Sequence, residues 1–116
     1  MPHESYLSIM KLVYKEQYLI DLYEGKTADK RFKSNPQLIR QYIKTIDKLY
    51  AVDKIEHLYQ IKTLGYSKKQ GTLNGKSAVY INKQFRLIFE EIHADEPPHE
   101  VVILSIESIS KHYEDL

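Results

Sequence analysis

The stretch LNGKSAVYINKQFRLIFE, residues 73–90, decides the fold. Val79 and Ile81 alternate with Ala78 and Tyr80, and Phe85, Leu87 and Phe89 alternate with Arg86, Ile88 and Glu90. A period of two sends successive side chains to opposite faces of a strand. Asn82-Lys83 separates the two runs as a turn, so the segment predicts a β-hairpin. Arg86 then shares one sheet face with Ile88 and Glu90, opposite the apolar residues.

Downstream, residues 93–100 carry Pro97-Pro98 and form a second connection. Residues 101–106 are apolar enough for a central strand, and 107–116 read as a polar tail. Upstream, residues 64–75 hold three of the four glycines among Ser, Lys, Gln and Asn, the composition of a flexible loop. Before that loop the period is helical. Asn35-Pro36 is a helix start, since Asn caps and Pro suits the first turn. Leu38, Ile39, Tyr42, Ile43, Ile46, Leu49 and Tyr50 follow at helical spacing. Asp53 is placed to cap a shorter helix with Ile55, Leu58 and Tyr59 inward, so that the two make a helical hairpin. Residues 26–34 are polar and basic and read as a loop. Residues 16–24 read as a helix with Tyr18, Leu19, Leu22 and Tyr23 on one face and Gly25 closing it. The run IMKLVY, 9–14, reads as a buried strand. Strand, helices, then hairpin-connected strands predict an α+β class: an antiparallel sheet of about four strands packed against N-terminal helices, in a single domain, 1–116.

A chain of 116 residues suffices for one core. It has no cysteine, which excludes disulfides and thiolate metal sites and fits a reducing compartment. No apolar run approaches the ~20 residues that span a bilayer, and the first residues lack a basic-then-apolar leader. A cytoplasmic protein with no membrane partner is the expectation. The net charge of +1 conceals an asymmetry. Lys62, Lys68, Lys69, Lys76, Lys83 and Arg86 fall in residues 61–86 with no Asp or Glu, whereas eight acids and only Lys111 fall in 87–116. A local basic field is the footprint of a polyanion site, although solvated lysines produce the same count. Ten tyrosines serve either to stack on bases or to fill the core.

Leu73-Asn74-Gly75-Lys76-Ser77-Ala78-Val79-Tyr80-Ile81-Asn82, then Phe85-Arg86-Leu87-Ile88-Phe89, resembles a segment of the RelE/ParE superfamily of bacterial toxins, in its HigB-like branch. That segment reads Leu-x-Gly-x-x-Ser-Ile-Arg-hydrophobic-Asn, a short turn, then aromatic-Arg-hydrophobic-hydrophobic-Phe. Ile109-Ser110-Lys111-His112-Tyr113 matches a closing strand and histidine, so the likeness spans roughly 10–113. Two places depart from it: Ser-Ile-Arg is replaced by Ala78-Val79-Tyr80, and an acidic-Tyr-His ending by Ser110-Lys111-His112.

The resemblance implies the toxin of a type II toxin–antitoxin system, a ribosome-dependent endoribonuclease that cuts messenger RNA without a metal or cofactor. In that chemistry the 2′-hydroxyl attacks the adjacent phosphate, which needs a base, an acid and positive charge around the phosphorane. Arg86 is the first candidate, its guanidinium suited to a phosphate in transition; the alternative is a pair with Glu90 or Glu91. His112 is the candidate acid or base, against the commoner fate of a surface histidine. Tyr113 donates a proton, stacks on a base or packs the end of the chain. Lys68, Lys69, Lys76 and Lys83 are candidate phosphate contacts, and Lys76 also steadies the transition state. Tyr80 either stacks a nucleotide or packs across strands. His57 is a secondary candidate. His3, His57, His93, His99 and His112 are too scattered for a metal motif. The implied partners are the ribosome, messenger RNA and a HigA-like helix-turn-helix antitoxin. The alternatives are a ParE-like gyrase inhibitor or a catalytically decayed RNA- or antitoxin-binding module.

Overall fold

The computed structural model describes residues 10–26, 29–69 and 73–111. Strand β1 (Lys11–Tyr14) leads into helices α1 (Gln17–Tyr23), α2 (Lys30–Lys33), α3 (Pro36–Ala51) and α4 (Ile55–Tyr59). A 3-10 turn at Lys62–Leu64 precedes β2 (Ser67–Lys68), β3 (Lys76–Tyr80), β4 (Phe85–His93) and β5 (Val101–Lys111). The strands form one sheet in the order β1-β5-β4-β3-β2. The α+β class and the helix-covered sheet are as expected. There are five strands, and β1 joins in parallel beside β5, with Leu12 opposite Leu104.

The apolar spacing of α3 turns Leu38, Tyr42, Ile46 and Leu49 into the core, each 2 % exposed or less. Asn35 caps it, Oδ1 accepting from the Leu38 amide at 3.2 Å, and Pro36 takes the first turn. From the sheet, Val79, Leu87, Phe89, Leu104 and Ile106 meet these residues. The Tyr42 hydroxyl donates to the Leu19 carbonyl at 2.7 Å, which satisfies the one polar atom of a fully buried ring and ties α3 to α1.

Local expectations change, among them the buried first strand: β1 lies at the sheet edge with Val13 41 % exposed. Residues 26–34 contain a helical turn, α2, because Asp29 caps it by accepting from the Arg31 amide and Phe32 packs inward. Asp53 does not cap α4: Lys54 holds that position, and Asp53 instead lies 2.8 Å from Nδ1 of His57. Tyr59 is 46 % exposed rather than inward, while Ile55 and Leu58 are buried. The 64–75 loop includes β2, which pairs with β3 through Ser67–Ala78 and Lys68–Ser77.

The polar tail is structured too. β5 runs on through Lys111, and the register passes from Phe89–Ile106 to Ile88–Ser108. Glu107 is therefore the extra residue of a β-bulge, which re-aims its side chain and restores the alternation beyond it. Among the described residues no helix is long and apolar enough to cross a membrane.

Candidate functional site

The face of the sheet turned away from the helices carries Lys76, Ala78 and Tyr80 from β3, and Arg86, Ile88 and Glu90 from β4. The direct cross-strand pairs are Lys76–Glu90, Ala78–Ile88 and Tyr80–Arg86, and Arg86 faces Ser110 on its other side. Arg86 thus stands between a tyrosine and a serine at one end of this face. Its guanidinium carbon lies 5.1 Å from the centroid of the Tyr80 ring, a cation–π contact, and its Nε is buried. The Tyr80 ring also lies against Gly65, where an added Cβ would clash with the ring edge. Tyr80 is 43 % exposed, so one part of the ring packs while another faces solvent. The glutamates named as alternative partners of Arg86 pair elsewhere.

Glu90 belongs to a four-membered charge cluster at the other end of the same face. Lys76 Nζ lies 2.8 Å from Glu107 and 3.5 Å from Glu90. Lys15 Nζ lies 3.0 Å from Glu107 and 3.2 Å from Glu90. The Lys15 hydrogen bond, then the Lys76 charge, hold the Glu90 carboxyl below its usual range. Burial pushes the Glu107 carboxyl up, but hydrogen bonds from Lys76 and Lys15 outweigh it and the net direction is down. The same hydrogen bonds raise Lys15.

Lys68 lies on the opposite face. It stands across from Ser77 on the helix side, 3.2 Å from Glu91. The Glu91 side chain is only 5 % exposed and accepts from Tyr66, from Ser77 at 2.7 Å and from Lys68. Burial raises its carboxyl, yet these donors win and keep it low. The basic segment and the acidic third of the chain are therefore interleaved by the sheet, and Lys68 and Lys76 already have carboxylate partners in space.

The remaining predicted residues are dispersed. The Lys69 amide donates to the Lys76 carbonyl at 2.9 Å, and Lys68, Lys69, Asn74, Gly75 and Lys76 line a hollow of about 290 Å³. Lys83 is exposed on the β3–β4 turn, which Asn82 fixes by accepting from the Gln84 and Phe85 amides at 2.8 Å each. His57 sits in the helical layer, paired with Asp53, and not on the Arg86 face. His112 and Tyr113 lie outside the described residues, immediately beyond Lys111, whose strand partner is Phe85. Nothing in the sequence singles out Lys15, Glu107 or Tyr66, and Glu91 is foreseen only as an alternative partner of Arg86, not as the acceptor for Tyr66, Ser77 and Lys68. Lys15 was legible only as a charge flanking the first strand.

No protein-family model matches the chain, and no curated protein matches it. Solved structures do. A point mutant of YafQ from E. coli aligns with a TM-score of 0.50 at 18 % identity, covering 90 % of this chain and 96 % of that one. The YoeB/ParE toxin from Agrobacterium tumefaciens aligns at 0.48 and 16 %, covering 90 % and 100 %. The YoeB-YefM complex from Staphylococcus aureus aligns at 0.46 and 19 %, covering 90 % and 98 %. At these identities the likeness is one of fold: the chain shares the mixed α+β architecture of the YafQ structure over nearly its whole length.

Proposed function

We propose that this chain is the toxin of a type II toxin–antitoxin pair and that it cuts messenger RNA on the ribosome. The observation that carries this reading is Arg86, projected from the sheet face turned away from the described helices and held against Tyr80. The 2′-oxygen attacks the neighbouring phosphorus and the bond to the 5′-oxygen breaks. The products are a 2′,3′-cyclic phosphate and a 5′-hydroxyl. Arg86 stabilises the charge that develops on the non-bridging oxygens. His112 and Tyr113, the residues directly following β5, supply the base that takes the 2′ proton and the acid that protonates the leaving oxygen. Lys68, Lys69 and Lys83 contact flanking phosphates, and Tyr80 offers its exposed edge to a base. Lys76 reaches a phosphate by exchanging a carboxylate partner for it. His57 is a secondary contact. The HigB-like branch, with a HigA-like antitoxin as partner, rests on the text of residues 73–89.

A second reading, a ParE-like inhibitor of gyrase, is favoured by one observation: Lys68 and Lys76 already have carboxylate partners. Controlled expression in a bacterial host with mapping of message 5′ ends separates the two. Growth arrest with new ends inside translated messages, both lost in Arg86→Ala and His112→Ala, supports the nuclease. Arrest with intact messages and altered DNA supercoiling selects the gyrase reading.

A further inference from the structure

The exposed side of α3 carries Arg40, Lys44 and Lys48, which lie in the helical layer apart from the Arg86 face. A spacing of four residues raises each cation about 6 Å above the last on one side of the helix. That rise is on the scale separating neighbouring phosphates of a nucleic-acid strand. The helix has one acid, Asp47, and its carboxylate accepts from the Tyr23 hydroxyl. Among the described residues, Arg40 and Lys44 make no ion pair, nor do Lys62 and Lys83 beside them. This contrasts with Lys15, Lys68 and Lys76, which the sheet neutralises.

The stripe is joined to the Arg86 end of the sheet. Asn82 Nδ2 donates to Gln41 Oε1 at 2.8 Å, fastening the β3–β4 turn onto α3. Lys48 Nζ donates to Thr63 Oγ1 at 3.4 Å, fastening α3 to the turn that carries Lys62. Where these contacts meet, Thr63, Tyr80, Ile81, Asn82 and Lys83 line a hollow of about 400 Å³. Tyr80 belongs both to this hollow and to the contact with Arg86. A cationic path therefore leads from Arg86 past Tyr80, around the turn at Lys83, and along α3.

We infer that single-stranded RNA flanking the cut follows this path, with its phosphates on Lys83, Lys48, Lys44 and Arg40 and one nucleotide in the Tyr80–Asn82 hollow. The inference rests on the RNA-cleaving reading and extends the footprint from the sheet onto the helical layer. RNA is favoured over an acidic polypeptide because the cations are regularly spaced and continuous with a site containing a stackable ring.

The test uses two labelled oligoribonucleotides, of 6 and 16 nucleotides, sharing a central sequence. Binding to the full chain is followed across a salt series. The expected result is at least tenfold tighter binding of the longer strand. Arg40→Glu/Lys44→Glu/Lys48→Glu reduces it to the level of the shorter one and leaves the 6-mer unchanged. The slope of log K against log salt falls by about 2, since three single-strand contacts contribute ~0.7 each. The neutral triple with Gln at the same positions gives the intermediate effect and, with a thermal melt, guards against misfolding. Equal affinity for both lengths overturns the inference, as does an unchanged preference in both triples. Capture of an acidic peptide, but not of RNA, in a triple-sensitive way also overturns it. Length-dependent, stripe-dependent binding without message cleavage keeps the path and rejects the nuclease.

Discussion

Arg86 and Tyr80 are direct partners across the β3–β4 ladder, with the guanidinium carbon 5.1 Å from the ring centroid. The ring limits the orientations open to a guanidinium whose Nε is buried beside the fully buried Ala78 and Ile88, and pre-positioned positive charge is what phosphoryl chemistry requires. Loss of a single such donor costs about 10²–10³ in rate in comparable sites. Arg86→Ala is expected to remove RNA cleavage while leaving the melting temperature within a few degrees of the parent. Arg86→Lys is expected to recover little, because a point charge does not replace a bidentate fork. Cleavage of a translated message, measured beside a thermal melt, checks both.

Gly65 adopts φ of 53°, and a Cβ there would run into the Tyr80 ring. Gly65→Ala is therefore expected to destabilise the protein by about 1–3 kcal/mol through backbone strain and the displaced ring. Gly25→Ala, with open space around a Cβ at a helix end, meets the strain but not the clash. The denaturant midpoints of the two variants should differ in that order.

Glu91 and Glu90 are neighbours with opposite expectations. Glu91, with a side chain 5 % exposed, satisfies Tyr66, Ser77 and Lys68; Glu91→Ala removes the shared carboxylate acceptor of the buried Ser77 and half-buried Tyr66 hydroxyls, which keep only each other. A cost of about 1–3 kcal/mol is expected. Glu90→Ala, at a 41 % exposed side chain, should cost less than about 1 kcal/mol. Equal losses in chemical denaturation would contradict the assignment.

Acid should destabilise the fold through these same groups. Glu90, Glu91 and Glu107 all have carboxyls lowered below their ordinary 4.5, so the folded state binds fewer protons than the unfolded chain. Their contribution is fully present above the unfolded value and is lost as pH falls from about 4.5 through the lower folded values. Stability measured from pH 7 to pH 3 should decline in that window, and the decline should be shallower in Glu91→Gln.

Glu107→Gln tests the charge cluster. Removing one carboxylate from Lys76 and Lys15 adds a net positive charge to the Arg86 face. RNA binding is expected to tighten several-fold at low salt and to converge on the parent at high salt. Anisotropy with a short oligoribonucleotide reads this directly.

Much of this architecture is legible in local text. Asn35-Pro36 and the spacing of Leu38, Tyr42, Ile46 and Leu49 announce α3, and strict alternation announces β3 and β4. What is not legible depends on distant partners. Nothing in residues 11–14 specifies parallel pairing with β5. The bulge at Glu107 breaks the alternation, so Ser108, Ile109 and Ser110 read as tail although they continue the strand. The same bulge brings Glu107 to Lys76, 31 residues away in sequence, so a basic segment counted by itself overstates its free charge. Helix α2 is hidden because three of its four residues are cations and only Phe32 is buried. The Arg86–Tyr80 relation follows from the hairpin register, but the contact of the Tyr80 ring with Gly65 depends on the 3-10 turn at Lys62–Leu64, which the sequence does not announce.

The central claim is tested most directly by purified protein added to ribosomes programmed with a defined message, followed by analysis of RNA ends. Fragments carrying 2′,3′-cyclic phosphate and 5′-hydroxyl ends, absent with Arg86→Ala, are the predicted result. An intact message with wild-type protein, or the same fragments from Arg86→Ala, would contradict it.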